Sequence, residues 1–263
     1  MRLGVPPAAR PQALTLLAAA AISIVLWFIP FAEILTYPFR IFVTFIHEGG
    51  HAIAALLTGN SVGSLSVAMN ASGETYTTKG GFLSQAFVAS AGYLASMGYG
   101  ALLLVLIRKA VAARVVLLSS AALIFVLTFV YGIFKPIFYW GALSGIPFTF
   151  VAGTFLTIGL IAVAKFATAR LATFFVSFLA VQCILNALLD LKTVLFLASP
   201  FASMSVPTDA VNMANLTGLP AIFWAILWIL LALGILALAM RIYVVTRDSR
   251  VQPDLPFEDV SPS

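Results

Sequence analysis

The run Ile41-Phe42-Val43-Thr44-Phe45-Ile46-His47-Glu48-Gly49-Gly50-His51-Ala52-Ile53-Ala54-Ala55-Leu56-Leu57 sets two histidines and a carboxylate inside an apolar segment. An ionisable side chain at membrane depth costs about 3 kcal/mol or more, so such groups mark function. On a helix, residues four apart share a face. His47 and His51 therefore point the same way and can hold one Zn²⁺ through their imidazole nitrogens. Glu48 follows the first histidine and reaches a water at the metal rather than the metal itself, the position of a general base in the His-Glu-x-x-His pattern. Zinc brings the pKa of its water to about 7, which makes a nucleophile available at neutral pH. The plain structural alternative is a polar cluster that only hydrogen-bonds between helices. Against it, the motif takes both histidines of the chain.

Gly49 and Gly50 each cost the helix about 1 kcal/mol relative to alanine. Their presence predicts close approach of a substrate or a neighbouring helix.

The surroundings fix the class. The chain is 62% hydrophobic and 9% charged, with a mean hydropathy of +1.09, outside the range of soluble globular domains. Spans of roughly 20 apolar residues are read near 13–35, 38–58, 82–107, 112–134, 141–164, 170–198 and 219–241. Lipid offers the backbone no partners, so a bundle of this density is helical. The expected fold is an all-α membrane protein, a polytopic bundle of about seven transmembrane helices. Residues 1–245 form a single polytopic domain, and 246–263 read as a disordered polar tail. Arg2 and Arg10 before an apolar run resemble a signal peptide, but the run from Ala13 to Leu35 is long and lacks a clear cleavage site, so it is read as a retained span. The net charge of +5 does not point to nucleic acid, because the basic residues sit at helix ends. The single cysteine, Cys183, excludes an internal disulfide framework and is read as a small buried residue.

After the motif helix, Ser64 to Met69 alternates polar and apolar, Asn70-Ala71-Ser72-Gly73 is a turn signal, and Glu74 to Thr78 is rich in β-formers. This predicts a small β-hairpin. Gly92, Ser96 and Gly100 repeat at four-residue spacing and read as a packing face. A short surface helix is expected between Val206 and Leu216, ended by Gly218.

A catalytic zinc commonly has three protein ligands and one open position. The third ligand is sought at membrane depth in another span. Glu33 and Glu74 fall at a span end and in the hairpin, and Asp209 falls in a polar loop. Asp190, in the otherwise apolar Val181–Leu191 segment, is the expected third ligand. An ion pair with Lys192 is the alternative, but residues two apart on a helix point away from each other. Asn186, one turn before Asp190, is a catalytic candidate that orients the carboxylate or donates to a developing oxyanion.

His47 to His51 inside a span, with Asn186 and Leu189-Asp190 in a later one, resembles the site-2 protease family of intramembrane zinc metalloproteases, in its compact bacterial and plant-type branch without a soluble insert. Lys79-Gly80-Gly81, Ala91-Gly92-Tyr93-Leu94, Thr208-Asp209-Ala210 and Leu216-Thr217-Gly218-Leu219-Pro220 add to it in the same order. The resemblance implies an endopeptidase that cuts transmembrane segments of other proteins in the lipid bilayer, with His47, His51 and Asp190 as zinc ligands and Glu48 as base. It implies a multi-pass location, in a bacterial inner membrane, and a hairpin against which an unwound substrate can pair. Leu191 stands where the family commonly has glycine after the aspartate, and no PDZ-like domain is read here. The charge balance puts the hairpin side outside, whereas the resemblance puts the site near the cytoplasmic face, so the orientation stays open. A transporter or scaffold retaining a metal site is the non-enzymatic alternative.

Overall fold

The computed structural model describes residues 10–26, 28–108, 111–138, 140–198 and 207–244. The expected tail, 246–263, lies outside them. The helices are α1 (Arg10–Leu26), α2 (Glu33–Leu57), α3 (Phe82–Arg108), α4 (Ala113–Val126), the one-turn α5 (Lys135–Ile137), α6 (Ile146–Phe166), α7 (Ala169–Leu197), α8 (Asp209–Thr217) and α9 (Ala221–Val244). A π-helical segment, Leu127–Phe134, joins α4 to α5. Among the described residues, five helices are long and apolar enough to cross a membrane: Phe82–Arg108, Ala113–Ile137, Leu143–Phe166, Ala169–Leu197 and Ala221–Ile242. The apolar part of α1 is shorter, Leu14–Leu26. α2 is not among the five, because Arg40, His47, Glu48 and His51 lower its hydropathy. The chain is an integral, multi-pass membrane protein, and its seven expected spans correspond to these five helices with α1 and α2.

The motif helix sits at the centre. Phe42 and Phe45 of α2, Met97 and Leu103 of α3, Leu179 and Leu191 of α7 and Trp228 of α9 are all buried. Gly50 lets α2 meet α3: a Cβ there would lie 2.5 Å from the Ala95 Cβ and 2.7 Å from the Ala91 carbonyl oxygen. Gly100 does the same between α3 and α7, where a Cβ would meet Ile184 at 2.8 Å and the Ala180 carbonyl at 3.1 Å. Cys183 is buried beside it. Small residues replace the hydrophobic driving force that helices lack in lipid. A buried polar chain ties α1 to α7: Gln182 Nε2 donates to Ser23 Oγ at 3.3 Å.

The hairpin is present. Strands β1 (Val62–Val67) and β2 (Gly73–Thr77) pair antiparallel, with Leu65 opposite Thr75 and Val67 opposite Gly73. The turn is closed by Ala68 and Ser72, with Ala71 at φ 64° and Asn70 Oδ1 accepting from the Ser72 amide at 3.0 Å. Gly73 belongs to β2 rather than to the turn. The alternation of β1 does not give it a solvated face: Val62, Ser64, Leu65 and Val67 are all buried. It lies inside the bundle, where the Val67 amide donates to Thr149 Oγ1 of α6 at 2.9 Å. At the tip, Tyr37 Oη donates to the Met69 carbonyl at 2.6 Å and Thr44 Oγ1 to that of Ala71 at 2.8 Å. The hairpin therefore runs back along α2, past the motif.

Overpacking a tight interface costs about 1–3 kcal/mol. Gly50→Ala forces a methyl onto α3 backbone and should lower the thermal midpoint in detergent. Gly49→Ala meets only the flexible end of Leu127, with Cδ1 at 2.7 Å, and should lower it less. An equal effect of the two would show that the close α2–α3 approach at Gly50 does not set the cost.

Candidate metal centre

The helical spacing of His47 and His51 brings their Nε2 atoms to 3.1 Å from each other. The carboxylate that meets them comes from α8. Asp209 Oδ2 is 3.3 Å from each Nε2. Among the described residues, His47, His51 and Asp209 bring their donor atoms within 4.8 Å of one another. Three ligands about 2.0–2.1 Å from a tetrahedral centre lie about 3.3 Å apart, so the spacing of this donor set fits zinc. The outer contacts fit as well. The Val88 carbonyl can only accept, so His51 Nδ1, 2.7 Å away, carries a proton and leaves Nε2 free as a donor toward metal. The His47 ring is held edge-on against Tyr93, with centroids 4.6 Å apart, and Tyr93 packs in turn on Trp228. Trp228 Nε1 is anchored by donating to Ser90 Oγ at 3.1 Å.

Asp209 is placed by local sequence. Thr208 caps α8, its hydroxyl accepting from the Val211 amide at 3.3 Å, and Asp209 is the first helical residue. Gly218, at φ 76°, ends the helix as its glycine predicts. Ala210 and Met213 are buried, and Trp224 Nε1 donates to Thr217 Oγ1 at 3.1 Å, so α8 is docked against α9. Burial alone would raise the Asp209 carboxyl. When protonated, His51 and His47 outweigh it by their charge and by the hydrogen bonds their rings then donate, and hold the group well below the usual carboxylate range.

Gly92 of α3 faces the point where the two imidazoles meet. A Cβ there would collide with His47 Nε2 and lie 2.5 Å from His51 Nε2. Its regular spacing with Ser96 and Gly100 suggests packing alone; the structure gives it a place in the site.

Glu48 is buried between the two histidines and the hairpin. Its Oε2 accepts from Thr75 Oγ1 at 2.6 Å. A cavity of about 1280 Å³ opens over these groups, lined among others by Glu48, Tyr93, Asp209 and the whole of β2. Asn60, between α2 and β1, lines it as well.

The position sought for Asp190 at the two histidines is taken by Asp209. Asp190 lines the same cavity, within electrostatic reach of His47 and Arg40, but lies outside the three-residue donor group. The reason is topological: α8 lies with its first residue on the motif helix, so the carboxylate does not have to come from a span. Asn186 is not brought to the cavity. Its Nδ2 donates to Gln182 on its own helix, to the main-chain oxygen at 2.8 Å and to Oε1 at 3.2 Å.

A family model described as Peptidase M50B-like matches residues 15–239. The chain belongs to the Peptidase M50B-like family. This is a site-2 protease family, and its members are zinc metallopeptidases. The match takes in the motif helix, the hairpin, Asp190 and α8. No curated protein and no solved structure matches the chain.

In an M50B-like site of this geometry, Gly92→Ala places a methyl among the donor atoms. The expected outcome is loss of zinc from the purified protein with its helical circular dichroism unchanged. Stoichiometric zinc in that variant would count against Gly92 facing the donors.

Proposed function

We propose that the protein is a zinc-dependent intramembrane endopeptidase, hydrolysing peptide bonds in or near transmembrane segments of other membrane proteins. The observation that carries this reading is the convergence of His47, His51 and Asp209 beside a buried glutamate, at the wall of a cavity inside a membrane bundle. His47, His51 and Asp209 would hold the zinc. When bound, the ion supplies Lewis acidity toward a water and the scissile carbonyl.

The chain's own groups do the rest. Glu48 follows the first ligand in sequence and reaches the cavity, where it takes the proton of the attacking water. The oxygen of that water joins the carbonyl carbon, the C–N bond breaks, and Glu48 returns the proton to the leaving nitrogen. His51 is kept in the ligating tautomer by Val88. Tyr93 holds the plane of His47.

The substrate reading follows from the hairpin. Thr149 covers the outer edge of β1. Among the described residues β2 pairs with β1 alone, and all of its residues line the cavity. A peptide bond in a helix is shielded by its own hydrogen bonds. An unwound segment can replace them by adding as a strand along β2. Membrane-spanning substrates suit a site reached from within the bilayer.

Zinc content separates the two aspartates. Asp209→Ala should lose the metal that the wild type holds, and Asp190→Ala should keep it; the opposite result would return the third ligand to α7. Glu48→Gln should retain zinc and cleave a co-expressed transmembrane substrate about 10²–10⁴-fold more slowly. Unimpaired cleavage by that variant would remove Glu48 from the mechanism.

A further inference from the structure

The hairpin touches both oxygens of the Glu48 carboxylate. Thr75 Oγ1 donates to Oε2 at 2.6 Å and lies 3.2 Å from the Glu48 main-chain oxygen. Two residues earlier on β2, Gly73 lies against the same side chain. A Cβ at Gly73 would fall 2.5 Å from Oε1, 2.6 Å from Cγ and 2.8 Å from Cδ. Residues two apart on a strand share a face, so Gly73 and Thr75 form one surface turned toward α2. Among the described residues, Thr75 is the side chain that donates to this carboxylate.

A free glutamate side chain samples many rotamers. A general base works only within hydrogen-bond reach of the proton it takes. Something must hold Glu48, and the motif helix itself does not. We propose that strand β2 is the positioning element for the base: Thr75 fixes the carboxylate through Oε2, and Gly73 is the glycine whose missing side chain admits it. Thr75 is a positioning residue, acting through Glu48. The strand that holds the base is also the strand whose open edge lines the cavity, so a peptide that moves β2 also moves the base. This inference rests on the reading of Glu48 as the base.

The test uses the full chain, zinc-loaded in detergent, with a transmembrane peptide substrate. Thr75→Val keeps the shape and removes the donor. It should lower kcat about 10- to 100-fold with zinc content unchanged, while KM stays near the wild-type value. Thr75→Ser should restore kcat. Gly73→Ala, which displaces the carboxylate, should reproduce the loss. A second readout needs neither metal nor turnover. In zinc-free protein, the infrared carboxylate band that disappears in Glu48→Gln should shift in Thr75→Val and return in Thr75→Ser. If the valine variant does not fold, Thr75→Ala takes its place in both measurements. Wild-type kcat together with an unmoved band in the hydroxyl-free variant overturns the proposal. Inactivity of the wild type, or full activity of Glu48→Gln, defeats the reading of the base instead, and the infrared band still reports whether Thr75 holds Glu48.

Discussion

One carboxylate oxygen shared between two imidazoles sets the terms for the rest of this structure. Asp209 Oδ2 sits 3.3 Å from both Nε2 atoms, in a place where unpaired charge would be expensive. For that contact to exist, α2 must present two histidines on one face, α3 must come close without a side chain in the way, and α8 must lay its first residue against α2. Gly50 and Gly92 meet the second demand and the Thr208 cap meets the third. The arrangement is over-determined: each donor is held by a contact that does not involve the other two. Val88 holds His51, Tyr93 holds His47, and the cap and Trp224 hold the helix that carries Asp209.

The hairpin is the second constraint. A two-stranded sheet is marginal alone, and this one is stabilised by burial of β1 and by bonds from Tyr37, Thr44 and Thr149. Those bonds are unequal in consequence. Tyr37 and Thr44 fasten the turn and Thr149 bonds the edge of β1 at Val67, while β2 lies along the cavity. An uncovered edge is a liability in a soluble protein; here it lies beside a buried glutamate and three metal-type donors, where the proposed function would place an extended chain. Gly73 and Thr75 of β2 meet Glu48 while the strand lines the cavity, so under the proposed function substrate contact and base position are linked.

Much of this was legible in the sequence, because the signals were periodic. Four-residue spacing put His47 and His51 on one face, apolar runs gave the helices, and the Asn70–Gly73 turn between β-rich segments gave the hairpin. What was not legible depended on where α8 docks. Asp209 lies in a polar stretch, and a rule that ligands come from apolar spans passes over it. The Thr208-Asp209 start of a short helix was visible, but no local pattern says which way such a helix points. Asn186 illustrates a different limit. Helical spacing places it equally near the residue one turn before and the one after; the structure shows it bonded to Gln182, away from Asp190. Gly92 and Thr75 read as ordinary members of a packing face and a strand, since their roles exist only toward side chains of another element.

Water access is the final requirement of a hydrolytic site in a bilayer, and the fold answers it by dividing its surfaces. The long apolar helices turn leucine, isoleucine and phenylalanine outward, as at Leu230, Phe155 and Phe125. Among the described residues, non-helical backbone from Ser66 to Thr78 of the hairpin and at the start of α8 lines the cavity. Non-helical backbone at membrane depth survives only where protein or a wet cavity satisfies it. The same irregular segments that a pure helical bundle would exclude are thus the ones that bring β2 and Asp209 to the motif. A straight span carrying the third carboxylate could supply the ligand, but it could not supply the polar opening. A short capped helix brings a candidate ligand to the motif and polar groups to the cavity together, and the carboxylate on α7, Asp190, lines that cavity without joining the donor group.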